Sequence, residues 1–254
     1  MKIPSTSLSS NIASNASNQS QLEQIATGKR VNSAKDDAAG LAIINRLDSD
    51  VSSTRSAMKN TLDGLSRLEV EDGALASVTE ELQRVRELKV RQVNGSLGES
   101  DRDAIQQEID QRMAVIESQF SSTEFNGSNV FQGQEETLQI GINADQTLTI
   151  EGATEEGLLD GLNGEASLES LDSALVAVAQ RRSTIGALSN RLDSNASNLA
   201  SSDVINQQTR SRIEDADIAK TVSESIALDV KRQVSIAVQG QANAQTERLL
   251  GLLK

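Results

Sequence analysis

Only carboxylates, lysines, serines and threonines are available for chemistry in this chain, because its 254 residues include no histidine and no cysteine. The usual general base, the usual zinc ligand and any thiolate are therefore missing. The densest acidic groups are Asp36-Asp37, Asp101 with Asp103, and Glu214-Asp215 with Asp217. A calcium loop needs oxygen ligands at alternating positions around a glycine turn and a closing glutamate, and none of the three groups supplies that pattern. Glycosidase chemistry needs two carboxylates opposed across a cleft, which a solvated helical surface does not provide. These groups are expected instead as charges at helix N-termini and as ion pairs between subunits. Asn-x-Ser triplets begin at Asn15, Asn18, Asn94, Asn126 and Asn195. Without a secretory signal they are read as ordinary Asn/Ser-rich composition rather than as glycan acceptors. No catalytic residue, cofactor or metal is expected.

The formal net charge is -13. No basic stripe is present to neutralise phosphates, so neither a nucleic acid nor an anionic membrane surface is an expected partner. No apolar run approaches the roughly 20 residues of a membrane span. Aromatic residues make up 1% of the chain, while 37% is hydrophobic. A compact globular core leans on aromatics for its buried area, so this hydrophobic content must line aliphatic seams between long helices. Pro4 is the only proline, and long uninterrupted helices are permitted almost everywhere after it.

The elements follow from apolar spacing. From Ala42 to about Val93, Leu47, Val51, Met58, Leu62, Leu65, Leu68, Leu75, Val78, Leu82 and Val85 recur at three, four or seven residues. That spacing predicts a heptad-like seam on a helix roughly 75 Å long. Asn94-Gly95 and Gly98 stop it. Ser100 with Asp103 resembles a capping box opening a second helix, with Ile105, Ile109, Met113 and Ile116 on one face. The short connection makes this helix antiparallel to the first. Alternation in Thr137 to Ile142 and Gln146 to Ile150 predicts a β-hairpin, and Gly152 to Gly164 reads as a short exposed loop. Helical spacing returns at Leu171 and runs through Leu175, Val178, Ile185, Leu188, Leu192 and Leu199, continuing past Ile213 into the apolar stripe of the C-terminal segment. The expected fold is mainly α, a long antiparallel rod of three helices with a hairpin.

The ends differ from the middle. Residues 1 to 27 are dominated by Ser, Asn and Gln, with Leu8, Ile12, Leu22 and Ile25 among their few large apolar side chains. The other end carries Ile218, Val222, Ile226, Val230, Val234 and Val238 at four-residue spacing, which suits a helix with one sticky face. Each end is a half-finished amphipathic helix, so the chain is expected to complete itself by meeting copies of itself. The expected divisions are 1–38, a helical rod over 39–210 with hairpin and loop at about 121–165, and 211–254.

Five segments carry a resemblance. Arg30-Val-Asn-Ser-Ala-Lys-Asp-Asp-Ala-Ala-Gly40, Gln83-Arg-Val-Arg-Glu-Leu88, Phe125-Asn-Gly-Ser-Asn-Val-Phe131, Ile185-Gly-Ala-Leu-Ser-Asn-Arg-Leu192 and Ser211-Arg-Ile-Glu-Asp-Ala-Asp217 resemble, in order, motifs of the bacterial flagellins. The resemblance implies a subunit that polymerises into the flagellar filament for swimming motility. Both termini would pair as helices in an inner tube, with the rod as the surrounding shell. It implies no variable outer domains, since the interval between hairpin and returning helix is short. It implies secretion to the extracellular flagellum without a cleaved signal peptide. The partners it implies are the export apparatus, an export chaperone at the C-terminal helix, and the filament cap and junction proteins. Arg84, Leu88 and Glu108 match positions through which a vertebrate innate immune receptor recognises flagellins, and are expected to be accessible in the monomer. Lys89 and Arg91 depart from the family pattern, standing where many relatives carry small or neutral residues. The alternative is a hook-filament junction protein or another coiled-coil assembly protein; the junction relatives are expected to lack the Arg84 to Leu88 rod motif, and a generic adaptor would have no reason to keep polar termini beside a fully patterned rod.

Overall fold

The computed structural model describes residues 19–162 and 167–252. Leu8 and Ile12 lie outside the described residues. The chain falls into two compact units, Ser52–Asp203 and the pair formed by Met1–Val51 with Val204–Lys254.

The unit Ser52–Asp203 is built from three long helices. Helix α1 covers 19–27 in the other unit; α2 runs Ala38–Gln92, α3 Glu99–Ser122 and α5 Leu168–Glu214, after a short α4 at Glu155–Leu158. Cross-helix partners give the directions. Between α2 and α5, Arg55 pairs with Asp203, Thr61 with Asn195, Asp72 with Arg182 and Arg86 with Asp172, one number rising as the other falls. Between α2 and α3 the pairs are Glu81 with Arg112, Arg84 with Glu108 and Gln92 with Gln106. Both neighbours are thus antiparallel to α2, and the expected helical architecture is present. The shared core takes Leu68, Leu75, Val78, Leu82 and Val85 from α2, Ile109, Ile116 and Phe120 from α3, and Leu171, Val178, Ile185 and Leu192 from α5.

The first half of the α2 seam is not the one expected. Leu62 is exposed and Met58 only half-buried, while Thr54, Ala57, Thr61 and Gly64 are buried. Small residues let a neighbour approach closely here. A Cβ on Gly64 would lie 2.2 Å from Leu138 Cδ1, so the glycine is what admits the hairpin side chain. Buried Thr61 satisfies its hydroxyl on the Ala57 carbonyl at 2.8 Å.

Two hairpins sit between α3 and α5. The expected one pairs β3 (Glu136–Gln139) with β4 (Thr147–Ile150), Glu136 opposite Ile150, and closes short of Ile142. It docks on α2 through Asn60, whose side-chain amide donates to the Gln139 carbonyl at 3.0 Å. The other pairs β1 (Glu124–Phe125) with β2 (Ser128–Asn129). Its turn residues Asn126 and Gly127 have φ of 52° and 77°, the geometry that makes Asn-Gly the strongest tight-hairpin signal. Phe131 beyond it meets Phe120 edge to face, with ring centres 4.8 Å apart.

Three further expectations are corrected. No Ser100 capping box forms: Gly98 is the N-cap of α3 without a side-chain bond, and Glu99 and Asp101 place negative charge in the first turn instead. The loop after β4 is not simply exposed, because Leu158, Leu159 and Leu162 are buried in the core. The returning helix passes Ile213 but ends at Glu214, and a new helix α6 runs Ile218–Leu252.

Candidate self-assembly surfaces

The acidic groups at the ends close helices. Asp37 Oδ1 accepts from the Gly40 amide at 2.8 Å and so caps α2; Asp217 Oδ1 accepts from the Lys220 amide at 3.0 Å and so caps α6. Asp36 Oδ2 accepts from the Ser33 hydroxyl and from the amides of Ser33 and Asn32. These bonds, the Ser33 hydroxyl foremost, hold its carboxyl below the ordinary carboxylate range despite some desolvation. Among the described residues no group of three or more acidic side chains could hold a metal ion.

In the unit formed by the chain ends, the segment after α1 is strapped to the junction of α5 and α6. Gly28 turns the chain at φ 72°, Lys29 bridges Asp215, and the Gly28 carbonyl accepts from the Ala216 amide at 2.9 Å. The buried Glu214 carboxylate meets Lys29 and Arg210. Arg210 also pairs with Asp48, so one arginine joins α5 to α2. Sequence reasoning treated Glu214 only as one of an acidic run. The basic residues that neutralise it sit 185 positions upstream and four positions before it, and only the first escapes local reading.

The expected assembly residues are mostly uncovered. On α6, Ile226, Val230, Val234 and Val238 are 59%, 53%, 55% and 60% exposed, and Val222 is half-buried. On α1, Leu22 is exposed and Ile25 half-buried. Ile218, the first residue of the four-residue stripe, and Ile236, which lies off it and has no place in that reading, are also exposed. At about 100° per residue, both stand about 240° around the helix from Val230, so α6 is apolar on two sides. A helix apolar on two sides needs more than one covering neighbour.

The receptor-like residues divide. Arg84 is exposed and donates to the half-buried Glu108 at 3.4 Å and to Glu87 at 3.1 Å. These carboxylates, Glu87 first, raise the guanidinium pKa. Leu88, expected to be accessible, is 2% exposed. It lies three residues beyond Val85 and continues the buried seam, so it does not join the other two on the surface.

The description "Bacterial flagellin N-terminal helical region" matches residues 1–136, and "Bacterial flagellin C-terminal helical region" matches 168–253. A flagellin of Halalkalibacterium halodurans is 32% identical over 249 residues, covering 93% of this chain and 92% of that one. Among solved structures, Bacillus cereus flagellin is similar with a TM-score of 0.51 at 28% identity, covering 56% of this chain and 88% of the other. A Vibrio parahaemolyticus protein described as flagellar hook-associated has a TM-score of 0.63 at 18% identity, covering 71% of this chain and 100% of the other. At that identity the last likeness concerns the fold alone. Matched in order at both ends and aligned along nearly its whole length with a flagellin, the chain belongs to the bacterial flagellin family, as a structural subunit of the extracellular flagellar filament.

Proposed function

We propose that the subunit polymerises through its two ends, with Leu8, Ile12, Leu22 and Ile25 of the N-terminal segment and Val222, Ile226, Val230, Val234 and Val238 of α6 covering one another between copies. On this reading residues 1–38 and 211–254 form the inner tube, and 39–210 the shell around it. The observation that carries it is the exposed apolar face of α6. Each valine or isoleucine is worth roughly 1.5 kcal/mol or more when fully buried, and each is about half exposed, so covering Ile226, Val230, Val234 and Val238 contributes about 3 kcal/mol per subunit. The same gain recurs in every copy.

An exposed stripe of this kind would also associate prematurely inside the cell. An export chaperone that covers α6 until the chain leaves accounts for that, and the export apparatus would then carry it unfolded, without a cleaved signal peptide. No described helix is long and apolar enough to cross a membrane. Cap and junction proteins would meet the same apolar surfaces on the last and first copies of the polymer. Arg84 and Glu108, with the neighbouring Glu87, present a charged surface for an innate immune receptor, with Leu88 supporting that surface from beneath.

Val230→Asp or Val234→Asp places a carboxylate in the covered tube, at a cost of several kcal/mol per subunit. Cells carrying either variant should export the protein and lack filaments by electron microscopy. Normal filaments and swimming would mean that the stripe faces solvent in the assembly.

A further inference from the structure

Between α3 and the segment around α4 lies a groove of about 670 Å³. Its floor is apolar, with Met113 from α3 and the buried Phe131 and Leu159. Its rim is acidic, with Asp110 and Glu117 on α3 facing Glu155 and Glu156 on α4. None of these four carboxylates has an ion-pair partner among the described residues. Such a groove holds uncompensated negative charge above an apolar surface, and fits an occupant that is both basic and apolar.

An exposed surface of that chemistry lies on the chain itself. At the last turn of α2, Val90 and Val93 are 51% and 67% exposed, three residues apart on one side. Lys89 and Arg91 flank them, and neither has an ion-pair partner among the described residues.

We propose that the acidic groove of one copy receives the Lys89 to Val93 turn of the next, as a contact between subunits of the filament. The contact joins two different patches, and such head-to-tail interfaces generate open helical polymers wherever the rotation between copies does not close a ring. It rests on the reading of the chain as a filament subunit and adds a contact outside the inner tube. A cation from the neighbour would relieve a site already under electrostatic strain, since burial and the charge of Glu117 both raise the Glu155 pKa.

The absence of cysteine gives a test without background. Val90→Cys and Ala114→Cys introduce single thiols at exposed positions, one on the turn and one lining the groove. A disulfide forms only where Cα atoms come within about 7 Å. When the two variants are mixed, polymerised and oxidised, a Val90→Cys to Ala114→Cys dimer should dominate a non-reducing gel, and neither variant alone should cross-link. Filaments without that heterodimer, or cross-linking of Ala114→Cys to itself, would overturn the contact while leaving the filament reading intact. Failure of the unsubstituted chain to polymerise would overturn both. As a second measurement, Lys89→Glu with Arg91→Glu should raise the critical concentration for polymerisation about tenfold or more, because like charges then face each other. Adding the variant Glu117→Lys with Glu155→Lys as the partner subunit should restore it, and no restoration would count against the pairing.

Discussion

Glu71 and Asp72 are neighbours on α2 that each hold an arginine of α5, and truncating them should have very different consequences. Glu71 is fully buried and accepts from Arg181 Nε at 2.5 Å, with Arg67 Nη1 3.7 Å from its other oxygen. Asp72 accepts from Arg182 at 2.8 and 3.2 Å, but its side chain is 40% exposed. Judged by bond geometry alone, the Asp72 pair is the better one, being bidentate. Burial reverses the order. Two unit charges 4 Å apart interact by about 4 kcal/mol at an effective dielectric constant of 20, and truncating one partner of a buried pair typically costs about 3–5 kcal/mol. Glu71→Ala should cost about 3 kcal/mol, at the low end, because Arg67 keeps Glu136 at 2.8 Å and Arg181 keeps the Glu151 carbonyl at 2.8 Å. Asp72→Ala should cost under about 1 kcal/mol, as exposed pairs do.

The assay is urea and thermal unfolding of the monomer, with residue-resolved hydrogen exchange to assign the transition to Ser52–Asp203. For a unit of this size about 3 kcal/mol corresponds to a midpoint drop of roughly 10 °C, against about 2 °C for Asp72→Ala. Glu71→Leu combined with Arg181→Leu should recover most of the loss, since a buried pair replaced by apolar side chains is commonly neutral. Equal losses for Glu71→Ala and Asp72→Ala would refute the argument that burial, rather than hydrogen-bond geometry, sets the worth of these pairs.

Two further outcomes are expected. Arg84→Ala should weaken stimulation of receptor-bearing cells by monomer without lowering its melting temperature; Leu88→Ala, by contrast, should destabilise the fold by about 2–5 kcal/mol as a core truncation, and an Arg84→Ala monomer as active as the parent would remove that surface from the receptor reading. Carboxyl NMR should place Asp36 below the ordinary Asp value of about 3.9, so its contribution to stability is present above that value and lost as pH falls through the lower folded pKa; Asp36→Asn should flatten this part of the acid limb, and an ordinary titration midpoint for Asp36 would show that the Ser33 bonds do not persist in solution.

How far the sequence could be read depended on what filled each seam. The second half of α2 was legible because Leu68, Leu75, Val78, Leu82 and Val85 are large and meet the large side chains of α3 and α5. In the first half the buried face is Thr54, Ala57, Thr61 and Gly64, and hydrophobicity pointed to Met58 and Leu62 instead. Small residues mark a seam only once the close neighbour is known, here Leu138 against Gly64. Glu71 was unreadable for a related reason: it occupies a seam position between Leu68 and Leu75, and its compensating charge comes from Arg181, 110 residues away. The β1–β2 hairpin, by contrast, was available from Asn126-Gly127 and was missed as a turn.

The segment after β4 shows what a compositional reading of a loop leaves out. Gly152 to Gly164 is rich in glycine and glutamate, which suggested solvent, yet Leu158, Leu159 and Leu162 turn inward and join the core. Thr154 caps the short helix that presents them, its hydroxyl accepting from the Gly157 amide at 3.0 Å. The glutamates that made the loop look exposed, Glu155 and Glu156, are then fixed at the rim of the groove facing α3. Polar composition and a buried role are compatible because three leucines suffice to anchor the segment. The same anchoring turns a connection between helices into a surface that a neighbouring subunit can occupy.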